Sequence, residues 1–181
     1  MDDRPSSPAE GTDGAHRNAL DIYPLNCYFF GSKDAVTFKD ETLADRVGRM
    51  KLNYDTYGLR TCVQAVLLVE LFKHPHLLLL QVRNSIYKLP GGRVRPGESD
   101  IDCLKRKLTS KLSMEGHGSW EECTKLYLVR LPASCKFIVP KNFNLLAIPL
   151  CQIHENRKTY GPIISGVPQL LSKFSINVVE P

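Results

Sequence analysis

The stretch KLPGGRVRPGESDIDCLKRKLTSKL, residues 88–112, decides how the rest of the chain is read. Gly91-Gly92 makes a turn that leads through Pro96-Gly97-Glu98 into a helix. Ser99 followed by Asp102 at the third position is a capping box, which satisfies the free N–H groups of the first helical turn. Ile101, Leu104, Leu108 and Leu112 then recur at helical spacing and form a buried stripe. A Gly-Gly turn feeding a capped helix is common loop chemistry when taken alone. The stretch is also where charge gathers. Between residues 83 and 111 stand Arg83, Lys88, Arg93, Arg95, Lys105, Arg106, Lys107 and Lys111, against only Glu98, Asp100 and Asp102. The segment carries the whole +5 net charge of the chain. Such a patch favours a polyanion such as nucleic acid or a nucleotide, although a solvated lysine-rich helix face is the commoner meaning of charge alone.

Around this segment lies a chain of 181 residues, 43% apolar and 24% charged, values of an ordinary soluble globular domain with a sizeable core. Residues 1–19 contain no Ile, Leu, Val or aromatic until after Ala19. They are expected to be an unstructured tail, with the folded domain over 20–181. The acidic, polar N-terminus is no secretory signal, and no apolar run approaches the ~20 residues that span a bilayer. Six cysteines show no CxxC pair, which points to buried free thiols in a reducing compartment rather than a disulfide framework. The five histidines have no metal-ligand spacing; His74 and His76 flank Pro75 in an expected turn.

Along the chain, IYPLNCYFFG (22–31) reads as a strand or extended docking segment. Asp40 is the expected cap of a helix with apolar positions Leu43, Val47, Met50, Tyr54 and Tyr57, and Gly58 is its stop. TCVQAVLLVELF (61–72) and LLLLQV (77–82) form a hairpin of two buried strands across the break KHPH. SIYKL (85–89) precedes the Gly-Gly turn. After the helix come a linker, SMEGHGSWEEC, and a strand in TKLYLVRL (124–131). FIVP and LLAIPLCQI (145–153) follow, then a turn in ENRKTYGP, a short helix through PQLLSKF (168–174), and SINVV. Strands interleaved with helices predict an α/β sandwich with a mixed sheet.

The register of the opening stretch is similar to a Nudix box: Gly, five residues, Glu, seven residues, then Arg-Glu-aliphatic-x-Glu-Glu. Gly92, Glu98, Arg106 and Leu108 match without a gap. The three helix glutamates that would hold Mg²⁺ on a diphosphate fall on Lys107, Ser110 and Lys111. A divalent ion needs hard oxygen ligands, and a lysine beside it is repelled by about 4 kcal/mol per unit-charge pair at 4 Å and moderate dielectric. Glu98, Asp100 and Asp102 sit at another helical phase. Metal-dependent hydrolysis is therefore not expected, no catalytic or metal residue is assigned, no cofactor is expected, and Arg106 is structural or paired with Glu98.

Beyond the box, the segments YPLNCYFFGSKD, LRTCVQAVLLVELFKHPHLLLLQ, YKLPGGRVRPGE, KLYLVRL, VPKNFNLLAIPL and YGPIISGVPQLLSKF resemble the Nudix-fold small subunit of pre-mRNA cleavage factor Im, over about residues 22–176. The resemblance implies a Nudix-like α/β/α sandwich and a catalytically silent nuclear protein. It also implies a homodimer that binds UGUA elements in single-stranded pre-mRNA. Its implied partner is a larger subunit carrying an RNA-recognition motif, and its implied role is 3′-end cleavage and polyadenylation. Two alternatives stay open: a Nudix-type nucleotide or dinucleoside polyphosphate hydrolase, and a partner-docking subunit that has lost RNA binding.

By the same resemblance the RNA site falls on Arg46, Gln64, Ile86, Tyr87, Leu89, Tyr160 and Gly161. Gln64 replaces the family's base-contacting acid, and Ile86 replaces the first of its two stacking aromatics. These residue types suit splayed bases, which need aromatic faces, arginine and main-chain groups aimed at their edges. Taken singly, Tyr87 and Tyr160 would more often be packing residues, and Arg46 a helix-surface charge. The largest departure is Ser113–Cys123, where the family has a longer, Trp-Trp-containing segment and this chain has Trp120 in a Gly-rich linker. The sheet is expected to be incomplete there, with an uncovered edge.

Overall fold

A computed structural model describes residues 18–36, 42–58, 61–83, 85–112, 119–123 and 125–180. Its elements are β1 (Ala19–Ile22), a single 3-10 turn at Leu25–Cys27, β2 (Phe29–Lys33), α1 (Leu43–Tyr57), β3 (Cys62–Leu71) and β4 (His74–Arg83). There follow β5 (Ile86–Lys88), β6 (Gly91–Arg93), α2 (Asp100–Leu112), β7 (Ser119–Cys123), β8 (Leu126–Arg130) and β9 (Lys136–Pro140). The chain closes with β10 (Asn144–Pro149), α3 (Leu150–Ile153), α4 (Arg157–Leu171) and β11 (Ser175–Val178).

The main sheet runs β10-β4-β3-β8-β7, with β5 on β4 and β6 on β3. It is mixed, as the alternation of strands and helices predicts: β3 and β8 are parallel, while β3–β4, β4–β10 and β7–β8 are antiparallel. Strands buried on both faces read as continuous apolar runs, and the period of two divides each run between two cores. Val63, Ala65, Leu67 and Val69 of β3 face α2, where they pack with Cys103, Leu104 and Leu108. Val66 and Leu68 face the other way, toward Ile164, Val167 and Leu171 of α4. Leu78 and Leu80 against Leu77 and Leu79 split β4 in the same manner. Each such leucine contributes about 1.5–3 kcal/mol on burial. The result is the expected α/β/α sandwich.

β3 and β4 pair only over Leu68–Leu71 and His74–Leu77, then diverge. The β5–β6 segment fills the wedge between them, β5 on β4 and β6 on β3. This opening holds the candidate site.

Several expectations are corrected. Ala19 opens β1 in parallel register with Ser175, so the folded part begins before residue 20; residues 1–17 lie outside the described ones. The break between the first two long strands is Phe72-Lys73, both at positive φ, and His74–His76 belong to β4. The cap of α1 is Thr42, whose hydroxyl accepts the Asp45 N–H at 3.2 Å while Asp45 accepts the Thr42 N–H at 3.3 Å. That reciprocal box outcompetes Asp40, which lies outside the described residues. Gly58 is the stop, at φ 65° with its N–H on Tyr54 O. ENRKTYGP is not a turn: Asn156 caps α4 by accepting the Thr159 N–H at 3.2 Å, and the helix runs from Arg157, kinked where Gly161 adopts φ 78°. LLAIPLCQI is a strand only to Pro149 and then one helical turn. The linker ending at Cys123 is a linker only in part, because Ser119–Cys123 pairs with β8 as β7; residues 113–118 lie outside the described ones.

Candidate nucleic-acid interface

The box helix is fixed first. Ser99 Oγ accepts the Asp102 N–H at 3.1 Å and donates to the Asp102 carboxylate at 2.7 Å, as the sequence predicts. Arg106 clamps Glu98 through two bonds, Nε to Oε1 at 2.6 Å and Nη2 to Oε2 at 2.7 Å. The Arg95 N–H adds a third bond to Oε2 at 2.8 Å. Chiefly through Arg106, and secondarily through the Arg95 N–H, the Glu98 carboxyl is held down to about 2. Asp100 accepts the Tyr127 hydroxyl at 3.1 Å. Lys107 lies along the Gly-Gly turn: a methyl group on Gly92 would stand 2.6 Å from its Cε. Thus a cation covers the place where the Nudix pattern puts a metal ligand, Ser110 occupies the next, and the box glutamate spends both oxygens on an arginine. These residues do not fit a divalent ion, and among the described residues no three His, Cys, Asp or Glu side chains are grouped to hold one.

The other face of the wedge is different. Tyr87 of β5 faces the α4 core, and its ring meets the Tyr160 ring at 5.0 Å between centroids, tilted by 55°. Tyr160 is buried, and its hydroxyl accepts from Gln152 Nε2 at 3.0 Å. Burial, and then the neighbouring Tyr87, push its phenol above the ordinary range, while the Gln152 bond opposes this. Tyr160 is therefore a fixed backing plate and Tyr87, half-buried, is the ring it supports. Leu89 packs in the same core. Gly161 follows Tyr160 at the kink, and its positive φ turns the backbone there.

Gln64 stands on β3 opposite Gly91, and by strand alternation it shares the α4 side with Val66. Its neighbourhood is tight, because a methyl group on Gly91 would lie 2.1 Å from Val63 O. The Ala65 N–H donates to Pro90 O at 2.7 Å and locks this register. The structure thus brings Gln64, Tyr87, Leu89, Tyr160 and Gly161 to one side of the sheet around the wedge. Ile86 is 43% exposed at the start of β5 and alternates with Tyr87. Arg46 belongs to the first half of α1; its side chain lies outside the described part. The remaining α1 stripe does not join either core: Val47, Met50 and Tyr54 are 43%, 53% and 63% exposed. The basic patch of the sequence is likewise divided. Arg106 is neutralised by Glu98 and Lys107 is half-buried, whereas Lys88, Arg93, Arg95 and Lys105 are exposed.

Comparison with known proteins shows the family to which the chain belongs. The NUDIX_2 family model, described as nucleotide hydrolase, matches residues 18–121 and 117–174. The chain is 54% identical over 212 residues to pre-mRNA cleavage factor Im 25 kDa subunit 1 of Arabidopsis thaliana, covering 99% of this chain and 96% of that protein. It is 42% identical to subunit 2 of the same species, covering 92% and 99%. It is 35% identical to cleavage and polyadenylation specificity factor subunit 5 of Dictyostelium discoideum, covering 86% and 94%. The first alignment is longer than this chain, so the relative holds residues with no counterpart here, and the two model matches meet at 117–121, inside the short join. A solved Ap4A hydrolase from C. elegans shares 16% identity at a TM-score of 0.38, covering 64% of this chain and 95% of that one.

Proposed function

Because the chain belongs to the family of pre-mRNA cleavage factor Im 25 kDa subunits and carries the Nudix fold, we propose that it acts in pre-mRNA 3′-end processing by binding UGUA elements in single-stranded RNA, without hydrolysing a nucleotide. The observation that carries this reading is the Tyr87–Tyr160 ring pair, on the side of the sheet to which strand alternation also turns Gln64. A ring backed by a second, anchored ring loses little freedom when a base stacks on its outer face. Gln64 offers a donor and an acceptor to a base edge, where the resemblance places a carboxylate. The resemblance adds the main chain at Leu89 and Gly161, and Arg46 of α1, to the residues we propose for the RNA.

Hydrolysis is opposed by the box itself. Its three carboxylate ligands are replaced by Lys107, Ser110 and Lys111, and Glu98 is committed to Arg106. The close relatives are named as cleavage-factor subunits, not as hydrolases.

The protein works within a complex. Exposed apolar side chains on α1 and on β2, where Phe29 and Phe30 are 61% and 42% exposed, support association. The partners we propose are a second copy of the chain and a larger subunit bearing an RNA-recognition motif, and the site of action is the nucleus. The test is binding of a UGUA-containing RNA against a scrambled RNA of equal length. A clear preference for UGUA supports the reading. Equal binding overturns base recognition, and absence of binding by a protein that still dimerises favours a docking subunit without an RNA site.

A further inference from the structure

The register of β6 on β3 places more than glycine at the wedge. Cys62, Val63 and Gln64 stand opposite Arg93, Gly92 and Gly91 in turn. In an antiparallel pair, opposed residues point to the same side. Gly92, opposite the core residue Val63, faces α2, as its closeness to Lys107 confirms. Arg93 therefore points away from α2, to the side of Gln64. Val94 continues the ladder, its N–H donating to Thr61 O at 3.0 Å, and packs toward the α2 core. Arg95 follows two residues beyond Arg93, past the end of β6. Both side chains are exposed. The backbone beneath them is fixed: Cys103 Sγ donates to Arg93 O at 3.2 Å and the Arg95 N–H to Glu98 at 2.8 Å. Among the described residues neither guanidinium has an acceptor, and the nearby acids are engaged, Glu98 by Arg106 and Asp102 by Ser99.

We infer that Arg93 and Arg95 form a phosphate-binding lip that continues from Gln64 and holds the sugar-phosphate backbone of the RNA beyond the bases that are read. This rests on the RNA-binding reading above. It adds a sequence-independent contact to that reading. Two exposed cations, one closing β6 and one two residues beyond it, attract phosphates of the strand, whose neutralisation releases counterions. Phosphate contacts position the strand while base contacts specify it.

The test is a salt titration of affinity for UGUA and scrambled RNA, using the full chain with Arg93→Gln, Arg93→Lys, the double variant Arg93→Gln/Arg95→Gln, and Lys105→Gln as a control on the opposite side of α2. Each lost phosphate contact should flatten the slope of log K against log salt by about 0.7. Arg93→Gln is expected to do so for both RNAs alike, the double variant about twice as much, and Arg93→Lys to restore the slope. Lys105→Gln should leave it unchanged. A slope unaltered in the double variant, or lowered equally by Lys105→Gln, overturns the lip while a preference of the parent chain for UGUA leaves the main reading standing. Loss of UGUA preference in Arg93→Gln without a change of slope also overturns it, because it would make Arg93 a base reader. A parent chain that binds neither RNA overturns both.

Discussion

Arg106 holds both carboxylate oxygens of Glu98, at 2.6 and 2.7 Å, so the one glutamate kept from the Nudix pattern is turned inward as a structural partner. With Lys107, Ser110 and Lys111 at the other ligand positions, no group of His, Cys, Asp or Glu among the described residues is arranged to hold Mg²⁺ against a diphosphate. Added Mg²⁺ or Mn²⁺ should produce no turnover of nucleoside polyphosphates. Metal-dependent product release that disappears in Glu98→Gln would contradict this assignment.

The same pair sets a pH dependence. Glu98 titrates near 4.5 when unfolded and at about 2 in the folded chain. Its contribution to stability is therefore fully present above pH 4.5 and is lost as the pH falls from 4.5 toward 2. Urea midpoints measured across that window should fall more steeply for the parent chain than for Glu98→Gln. Parallel curves would show that the clamp is not formed.

Gly91 and Gly92 differ in what surrounds them. A methyl group on Gly91 meets the backbone carbonyl of Val63 at 2.1 Å, and one on Gly92 meets the flexible Lys107 stem. Gly91→Ala should destabilise by about 1–3 kcal/mol or more, since backbone must move. Gly92→Ala should cost about 1 kcal/mol or less, as the lysine swings aside. Thermal unfolding of the two variants checks the order.

Much of this was legible in the sequence for physical reasons. The two cores follow from continuous apolar strands, and α2 from a cap, a stripe and a fixed spacing to Arg106; the clamp on Glu98 is foreseeable from that spacing. Other features depend on competition between neighbours. Thr42 and Asp40 are both capping types, and only the Thr42–Asp45 box decides between them. α4 begins eleven residues earlier than PQLLSKF suggests, because Tyr-Gly-Pro reads as a turn while Asn156 caps the helix and Gly161 merely kinks it. The stripe Val47, Met50, Tyr54 has helical spacing but stays in solvent, since periodicity marks an apolar face and not what covers it. The outward aim of Arg93 was invisible until the register of β6 on β3 was known.

The join at 113–123 carries a stability prediction. β7, a five-residue strand, pairs with β8 at the end of the sheet order. A version lengthened between Ser113 and Cys123 with a family-length segment should show a higher urea midpoint and less light scattering on heating, as added material covers a short edge. Equal midpoints and equally clean association would show that β7 is a complete closure of the sheet.

The most direct test of the central claim is the ratio of affinities for UGUA and scrambled RNA in the parent chain and in Tyr87→Ala. Removing the ring that rests on Tyr160 should weaken UGUA binding by about 1–3 kcal/mol, the worth of one base–aromatic stack, and lower the ratio. A Tyr87→Ala variant that binds UGUA as tightly as the parent, or loses affinity equally for both RNAs, would contradict a base-reading site at the Tyr87–Tyr160 pair.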